Sequence, residues 1–317
     1  MNDEIIVSIC CTTFNHGNFI KYAIEGFLMQ KTDFPIEILI HDDASTDGTT
    51  EIIKKYENEY PDLIHAVYQT ENQYSQGKKV FPILANQARG KYIALCEGDD
   101  YWIDAYKLQK QVNFLNSHPE YVMVSHNALK IYEKENFEQA HLVKNFIKPF
   151  DFNQRDLMIK NRCITCTVMF RNGLVQSFPD VYYMSTGGDR RLYLLLTEFG
   201  KGRVTPDVTS VYRKHHNSLT GSRNSPEKIL AARVESIRNA KNWNQYFNNK
   251  YNTEYNLVRS KTANQIVIMM LQQKKLLQAI RYSLLIDLDY LSSRRAKKWV
   301  HWLKILGNLL KIQAPEI

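Results

Sequence analysis

No stretch of this 317-residue chain reaches the ~18 uncharged apolar residues that a membrane-spanning helix requires. Met1-Asn2-Asp3-Glu4 is acidic, and the apolar run from Ile5 to Cys11 is too short for a secretory leader. Cysteine is scarce. Cys10, Cys11, Cys96, Cys163 and Cys166 show no paired spacing of a disulfide framework, so a reducing, cytoplasmic setting is expected. Cys163 and Cys166 share Cys-x-x-Cys spacing, but no second pair accompanies them. They fall in an apolar run and read as core thiols. The Gly-x-Gly-x-x-Gly turn of dinucleotide-binding sheets is missing, because CTTFNHGN follows the first apolar run. The Gly-rich Lys-Ser/Thr loop of P-loop NTPases is missing too. There is no internal repeat and no low-complexity linker.

What is present is an ordinary globular composition, 44% hydrophobic, which permits a large core. The net charge of +8 is unevenly placed. From residue 223 onward there are 17 Lys/Arg against 6 Asp/Glu, a net +11. Residues 1–222 carry 24 against 27, a net −3. The two parts are therefore read separately: chemistry in 1–222, a partner for the helical, basic region 223–317.

In the first part, strand and helix patterns alternate. Ile5–Cys11, Ile36–Ile40, Leu63–Tyr68, Tyr92–Cys96 and Tyr121–Ser125 are short, apolar and rich in β-branched residues. Between them, 18–30, 49–60, 80–88 and 105–116 have helical spacing, with Asp104 placed to cap the last. Further on, Cys163–Phe170 reads as a strand, 190–199 as a helix and Thr209–Arg213 as a short strand. Such alternation predicts an α/β fold with a mostly parallel sheet covered on both faces. Ligands then bind beyond the carboxyl ends of the strands. Three polar segments stand there: Thr12 to Gly17, His41 to Gly48, and Glu97 to Trp102.

Two of those segments are acidic. Carboxylates crowded at a strand end repel one another unless a cation is present. Mg2+ or Mn2+ would relieve this and fill its shell with phosphates and water. Glu97-Gly98-Asp99 has suitable spacing: residues i and i+2 share a side in extended backbone, and Gly98 admits a ligand to the main chain. A metal there would stabilise a departing diphosphate. The bland reading is a solvated acidic loop, with Asp100 bonding an amide and Asp47 capping the next helix.

The order of VSICCTTFNHGNFIKYAIEGFLMQ, IEILIHDDASTDGTTEII, ARGKYIALCEGDDYWIDAYKLQKQVNFLNSHPE, GGDRRLYLLLTEFGK and VYRKHHNSLT resembles the family 2 glycosyltransferases, from residue 7 to about 220. The resemblance implies the Rossmann-like GT-A fold and an inverting transfer from a nucleotide-sugar, with UDP as the expected carrier. It implies that Thr13, Phe14 and Asn15 form the lip against the nucleotide, and that Asp43 bonds the base. Glu97-Gly98-Asp99 occupies the metal motif, with Asp99 as the ligand and Glu97 facing ribose or metal. Glu in place of the family's first Asp is a departure. Asp189 in GGDRR is the implied catalytic base, which would take the acceptor's proton opposite the leaving group. The alternative for Asp189 is a helix N-cap. Tyr212-Arg213-Lys214-His215 matches the family's Tyr-Arg-x-His segment. His215 is then a metal neighbour, with His216 its rival by spacing. Arg213 either meets phosphate or pairs with the core acids. Tyr101 and Trp102 either stack on a sugar or belong to the core.

The resemblance implies a glycan or lipid-linked acceptor and a role in surface polysaccharide synthesis. In the basic region, Arg294, Arg295, Lys297, Lys298, Lys304 and Lys311 interleave with Trp299, Val300, Trp302, Leu303, Ile305, Leu306, Leu309 and Leu310. That pattern suits a helix at a membrane surface, the inner face of the plasma membrane in this setting. It equally suits a helix packed on the protein or on a second copy in a homo-oligomer. No nucleic-acid motif accompanies the charge. Two other functions stay in view. One is a non-catalytic glycan-binding scaffold. The other is a sugar nucleotidyltransferase, although the Gly/Arg/Lys-rich loop it would need after strand one is absent.

Overall fold

The computed structural model describes residues 4–132, 140–215, 225–292 and 298–315. His216, Arg294, Arg295 and Lys297 lie outside the described residues, as do the side chains of Lys298, Trp299, Trp302 and Leu309. The chain divides into two compact units. The first comprises Met1–Leu157, Asn161–Tyr183 and Gly187–Ser218, and the second comprises Met158–Lys160, Met184–Thr186 and Leu219–Ile317.

The first unit is built on one sheet. Its strands are β1 (Val7–Thr13), β2 (Ile36–Asp42), β3 (Ile64–Tyr68), β4 (Tyr92–Leu95), β5 (Tyr101–Trp102), β6 (Tyr121–Tyr132), β7 (His141–Leu142), β8 (Phe150–Phe152), β9 (Met169–Arg171) and β10 (Lys201–Lys214). Their order is β3-β2-β1-β4-β9-β6-β10-β5, with β7 beside β6 and β8 beside β10. The β1/β2, β1/β4, β2/β3 and β6/β10 pairs are parallel.

The sheet is more mixed than the sequence pattern predicts. Short β9 runs antiparallel to both β4 and β6. A strand of three residues has too little pattern to declare its direction. Two reversals cancel, so β6 and β10 point the same way as β1, β2 and β4. This brings the end of β10 to the same sheet edge as the ends of β1, β2 and β4. β10 is also far longer than Thr209–Arg213 suggests. Its pairing with β6 shifts register between Val204 and Ser210, around Pro206, which has no N–H to give a ladder.

Burial explains the elements. Val7, Ile9, Cys11, Ile38, Ile40, Tyr92 and Ala94 are sealed in the core between helices. The helix Ile20–Leu28 buries Ile20, Ala23, Ile24 and Phe27, the i, i+3, i+4, i+7 face. Each fully buried side chain of this size contributes roughly 1.5–3 kcal/mol. Cys163 precedes and Cys166 lies within a 3-10 turn at Thr165–Thr167. Both thiols are buried and free, as are Cys10, Cys11 and Cys96.

The second unit contains the helices Pro226–Tyr246, Asn252–Gln272, Leu276–Ser283, Leu288–Ser292 and Lys298–Leu309. Ile237, Ala263, Ile266, Val267, Met270, Ala279, Ile286 and Val300 form its core. The helix Lys298–Leu309 packs inside this unit. A Cβ added to Gly307 would lie 2.9 Å from Ile280 Cγ2, so glycine permits that close approach. Lys304 Nζ donates to the carbonyl of Ile286. Leu276, Leu277, Leu306 and Leu310 remain exposed. Among the described residues, no helix is long and apolar enough to cross a membrane.

Candidate active site

Parallel register brings the first two polar segments together. Thr13 at the end of β1 pairs with Asp42 at the end of β2. The chain turns sharply just beyond, at Asn15 (φ 54°) and Ala44 (φ 64°). Asn15 N–H donates to Ser45 Oγ at 2.9 Å, and Thr46 N–H donates to Asn15 Oδ1 at 2.8 Å. His16 N–H donates to Thr49 Oγ1 at 2.8 Å. Asp47 Oδ2 accepts from Gly17 N–H at 2.9 Å, while its Oδ1 accepts from Thr49 N–H at 3.2 Å. Asp47 thus serves the start of the helix Thr49–Glu59 and the first loop at once. Phe14 stays 43% exposed in the first loop.

Asp42 and Asp43 are both buried. Asp42 bonds Ser45 N–H and the Thr50 hydroxyl, closing the turn. Asp43 Oδ1 accepts from Gln73 N–H at 2.8 Å and its Oδ2 from Tyr74 N–H at 3.0 Å. Asp43 therefore joins this edge to the loop after β3.

The Glu97–Asp100 segment lies against the first loop. A Cβ on Gly98 would meet Thr13 Oγ1 at 2.6 Å and His16 Nδ1 at 3.0 Å, so only glycine fits between them. Asp99 Oδ2 lies 3.0 Å from His215 Nε2. His16, Asp99 and His215 each present a ligand atom within 4.8 Å of the other two. Three buried atoms here have no hydrogen-bond partner among the described residues: Thr13 Oγ1, His16 Nδ1 and Glu97 Oε2. Unpaired buried polar atoms are costly unless something absent from the bare protein uses them. With one carboxylate and two imidazoles on three elements, these residues fit a divalent metal.

Electrostatics agree with the geometry. Burial raises the Asp99 carboxyl, but the His215 hydrogen bond and the neighbouring His16 outweigh it and hold the group below the ordinary range. Burial, with the charges of Asp99 and Asp189, pushes Glu97 up to about 8. Burial lowers His16 despite the Asp99 charge, which favours the neutral, ligating imidazole.

Asp100 shapes the turn: its buried Oδ1 accepts the Arg213 N–H at 2.8 Å. Arg213 Nη1 donates to the Asp99 carbonyl at 2.9 Å. Its guanidinium lies 4.7 Å from the Phe19 ring centroid, 5.0 Å from Tyr101 and 5.3 Å from Tyr22. Trp102 is core, 2% exposed, with its indole N–H donating to the Cys166 carbonyl at 2.7 Å.

Asp189 opens the helix Asp189–Leu196 but is not its N-cap, which is Gly188. The Asp189 side chain instead accepts at Oδ2 from Thr165 Oγ1 at 3.0 Å and Asn161 Nδ2 at 3.3 Å.

The three polar segments and the end of β10 thus form one site. The sequence matches the family described as Glycosyl transferase family 2 over residues 8–178. The chain belongs to that family.

An uncharacterized protein of Mycobacterium tuberculosis is 33% identical over 213 residues, which are 67% of this chain and 60% of the relative. The chain therefore spans about three fifths of that relative's length. The Escherichia coli UDP-Glc:alpha-D-GlcNAc-diphosphoundecaprenol beta-1,3-glucosyltransferase WfaP is 30% identical, over 69% of this chain and 81% of WfaP. Among solved structures, Staphylococcus aureus TarS with UDP-GlcNAc superposes with a TM-score of 0.53 at 17% identity, over 95% of this chain and 88% of that one. The Pyrobaculum calidifontis mannosyltransferase PcManGT with GDP-Man and Mn2+ gives 0.53 at 14% identity, over 98% and 81%. At such identities the likeness establishes the GT-A fold alone.

Sequence reasoning placed the first loop at this edge but assigned nothing to His16. The signal was there: His16 directly follows Thr13–Asn15, the segment that the family resemblance sets against the nucleotide. Asn161 and Thr165, which hold Asp189, carry no motif.

Proposed function

We propose that this protein is a metal-dependent, inverting glycosyltransferase. It moves a hexosyl group from a UDP-sugar to a hydroxyl of a lipid-diphosphate-linked glycan, in surface polysaccharide synthesis. The observation that carries the reading is the 3.0 Å contact of Asp99 with His215 at the carboxyl edge of the sheet. The names of WfaP and of the TarS complex support UDP as the carrier, and WfaP's name supports the lipid-linked acceptor.

Asp99 and His215 hold the metal, which supplies Lewis-acid stabilisation of the departing diphosphate. Thr13, Phe14 and Asn15 border the nucleotide. Asp43, already held by two amides, has lone pairs left for the N–H of the base. Glu97, whose buried Oε2 has no partner among the described residues, faces the donor's ribose or the metal. Gly98 lets the Glu97–Asp100 turn close against Thr13 and His16. Arg213 works by holding the Asp99 backbone; its guanidinium is already engaged with that carbonyl and three rings.

Asp189 is the base. Both of its hydrogen bonds converge on Oδ2, and Oδ1 bears none among the described residues. The acceptor hydroxyl gives its proton to that oxygen as it attacks the anomeric carbon opposite the diphosphate. No protein acid is needed for the leaving group.

A lipid-linked acceptor draws the enzyme to a membrane surface. Exposed Leu276, Leu277, Leu306 and Leu310, with Lys274, Lys275 and Lys311, supply apolar and cationic contacts for it. The test of the whole reading is a thermal-shift screen of nucleotide-sugars with and without Mn2+, followed by transfer assays with the donor found. A UDP-sugar should raise the midpoint in a concentration-dependent, Mn2+-dependent way. No shift with any UDP-sugar sinks the donor assignment.

A further inference from the structure

We propose that His16 is a third protein ligand of the metal, completing a two-histidine, one-carboxylate set with Asp99 and His215. The inference rests on the metal-dependent reading above.

Three observations carry it. First, the ligand atoms of the three side chains lie within 4.8 Å of one another. The His215–Asp99 separation of 3.0 Å already matches two neighbouring ligands of an octahedral ion bound at about 2.1 Å. Second, His16 has a ring nitrogen, Nδ1, that is buried and without a hydrogen-bond partner among the described residues. The ring stands edge-on to His215, with centroids 5.8 Å apart. Third, the backbone of His16 is fixed as a ligand's should be. Its N–H is held by Thr49 Oγ1, its carbonyl accepts from Phe19 and Ile20 N–H at 2.8 Å, and Asp47 pins the next residue.

This assigns work to the second acidic segment. The Asp47–Thr49 turn does not touch the ion; it places the histidine that does. Two consequences follow from the donor set. Three protein ligands let the ion bind before any nucleotide arrives. Two imidazoles also favour a first-row transition ion over Mg2+, which prefers oxygen and retains its water.

Mn2+ binding is measured on the full chain without nucleotide, by loss of the free-ion spin resonance signal, for wild type, His16→Gln, His16→Asp, His215→Gln and Asp99→Asn. Wild type should take up Mn2+, and His16→Gln should weaken it by at least about tenfold. Spin-echo spectra of bound Mn2+ should show two imidazole nitrogens in wild type and one in His16→Gln. His16→Asp should recover affinity while losing preference for Mn2+ over Mg2+, a pattern that a misfolded loop does not produce. If His16→Gln keeps wild-type affinity and two nitrogens while Asp99→Asn loses binding, His16 is not a ligand and the metal reading stands without it. If Asp99→Asn and His215→Gln also bind normally, or wild type takes up no Mn2+, the site is not a metal site of this composition and the proposal falls with it.

Discussion

His215 Nε2 sits 3.0 Å from Asp99 Oδ2, although 116 positions separate the two residues in the chain. The contact exists because β10 ends at the same sheet edge as β4. Arg213, two residues before His215, also bonds Asp99 through its guanidinium and Asp100 through its amide. The pairing is thus held from both strands.

Removing either partner should cost the metal. Asp99→Asn and His215→Gln are expected to lower Mn2+-dependent transfer by about a hundredfold or more, several kcal/mol of transition-state stabilisation. Titration of activity with Mn2+ checks this. Variants that saturate at the parent's Mn2+ concentration would contradict it.

Asp189→Asn keeps the size of the side chain and its place beside Thr165 and Asn161. Donor affinity should change little, while turnover falls about 10²- to 10⁴-fold. Calorimetric donor binding beside single-turnover rates separates the two effects. Loss of donor binding would make Asp189 a structural or metal group instead.

Arg213→Ala removes the guanidinium from three rings and from the Asp99 carbonyl, but keeps the main-chain bond to Asp100. A loss of about 1–3 kcal/mol in urea unfolding is expected, with weaker Mn2+ binding. Arg213→Lys should recover only part of either, because an ammonium lacks the planar fork. Full stability together with full Mn2+ affinity in Arg213→Ala would remove its positioning role.

Lys107 gives a pH test. It is wholly buried against the Trp102 ring, 4.1 Å from the centroid, and bonds Gln111 Oε1 at 2.7 Å. Burial lowers it from 10.5 to about 7. Between those values the unfolded chain binds more protons than the folded one, so this residue makes stability rise with pH. The slope is at most about 1.4 kcal/mol per pH unit. Relative to Lys107→Met, the parent should gain stability from pH 7 to 9. Parallel stability curves for the two proteins would show that Lys107 stays charged.

The membrane contacts are tested with surface residues, since Val300 belongs to the core of the second unit. Leu276→Gln/Leu277→Gln should reduce co-sedimentation with anionic vesicles and leave the thermal midpoint near the parent's. Binding equal to the parent's would exclude these leucines from a membrane surface.

Much of the first unit was legible in sequence. Apolar, β-branched runs marked β1 to β4, because burial on both faces demands continuous apolar strands, and helical spacing marked the helices between them. Ends were placed less well: the strand read as Ile5–Cys11 is Val7–Thr13, and helix 80–88 shrinks to Phe81–Ala85. Amphipathicity marks the face of an element better than its last hydrogen bond. Lys298–Leu309 was ambiguous for another reason. Its apolar stripe suited lipid and protein alike; in the structure Val300 and Gly307 face protein, while Leu306 and Leu310 stay exposed.

The sequence by itself determined the α/β alternation, the three polar segments beyond their strands, and the family, because each rests on local spacing. The tertiary structure decided which side chains meet. That β9 reverses twice between β4 and β10, that His215 therefore reaches Asp99, that His16 joins them, and that Arg213 is caged by aromatic rings are all consequences of strand order. Strand order comes from the burial of distant faces against one another, and no window of local sequence carries it.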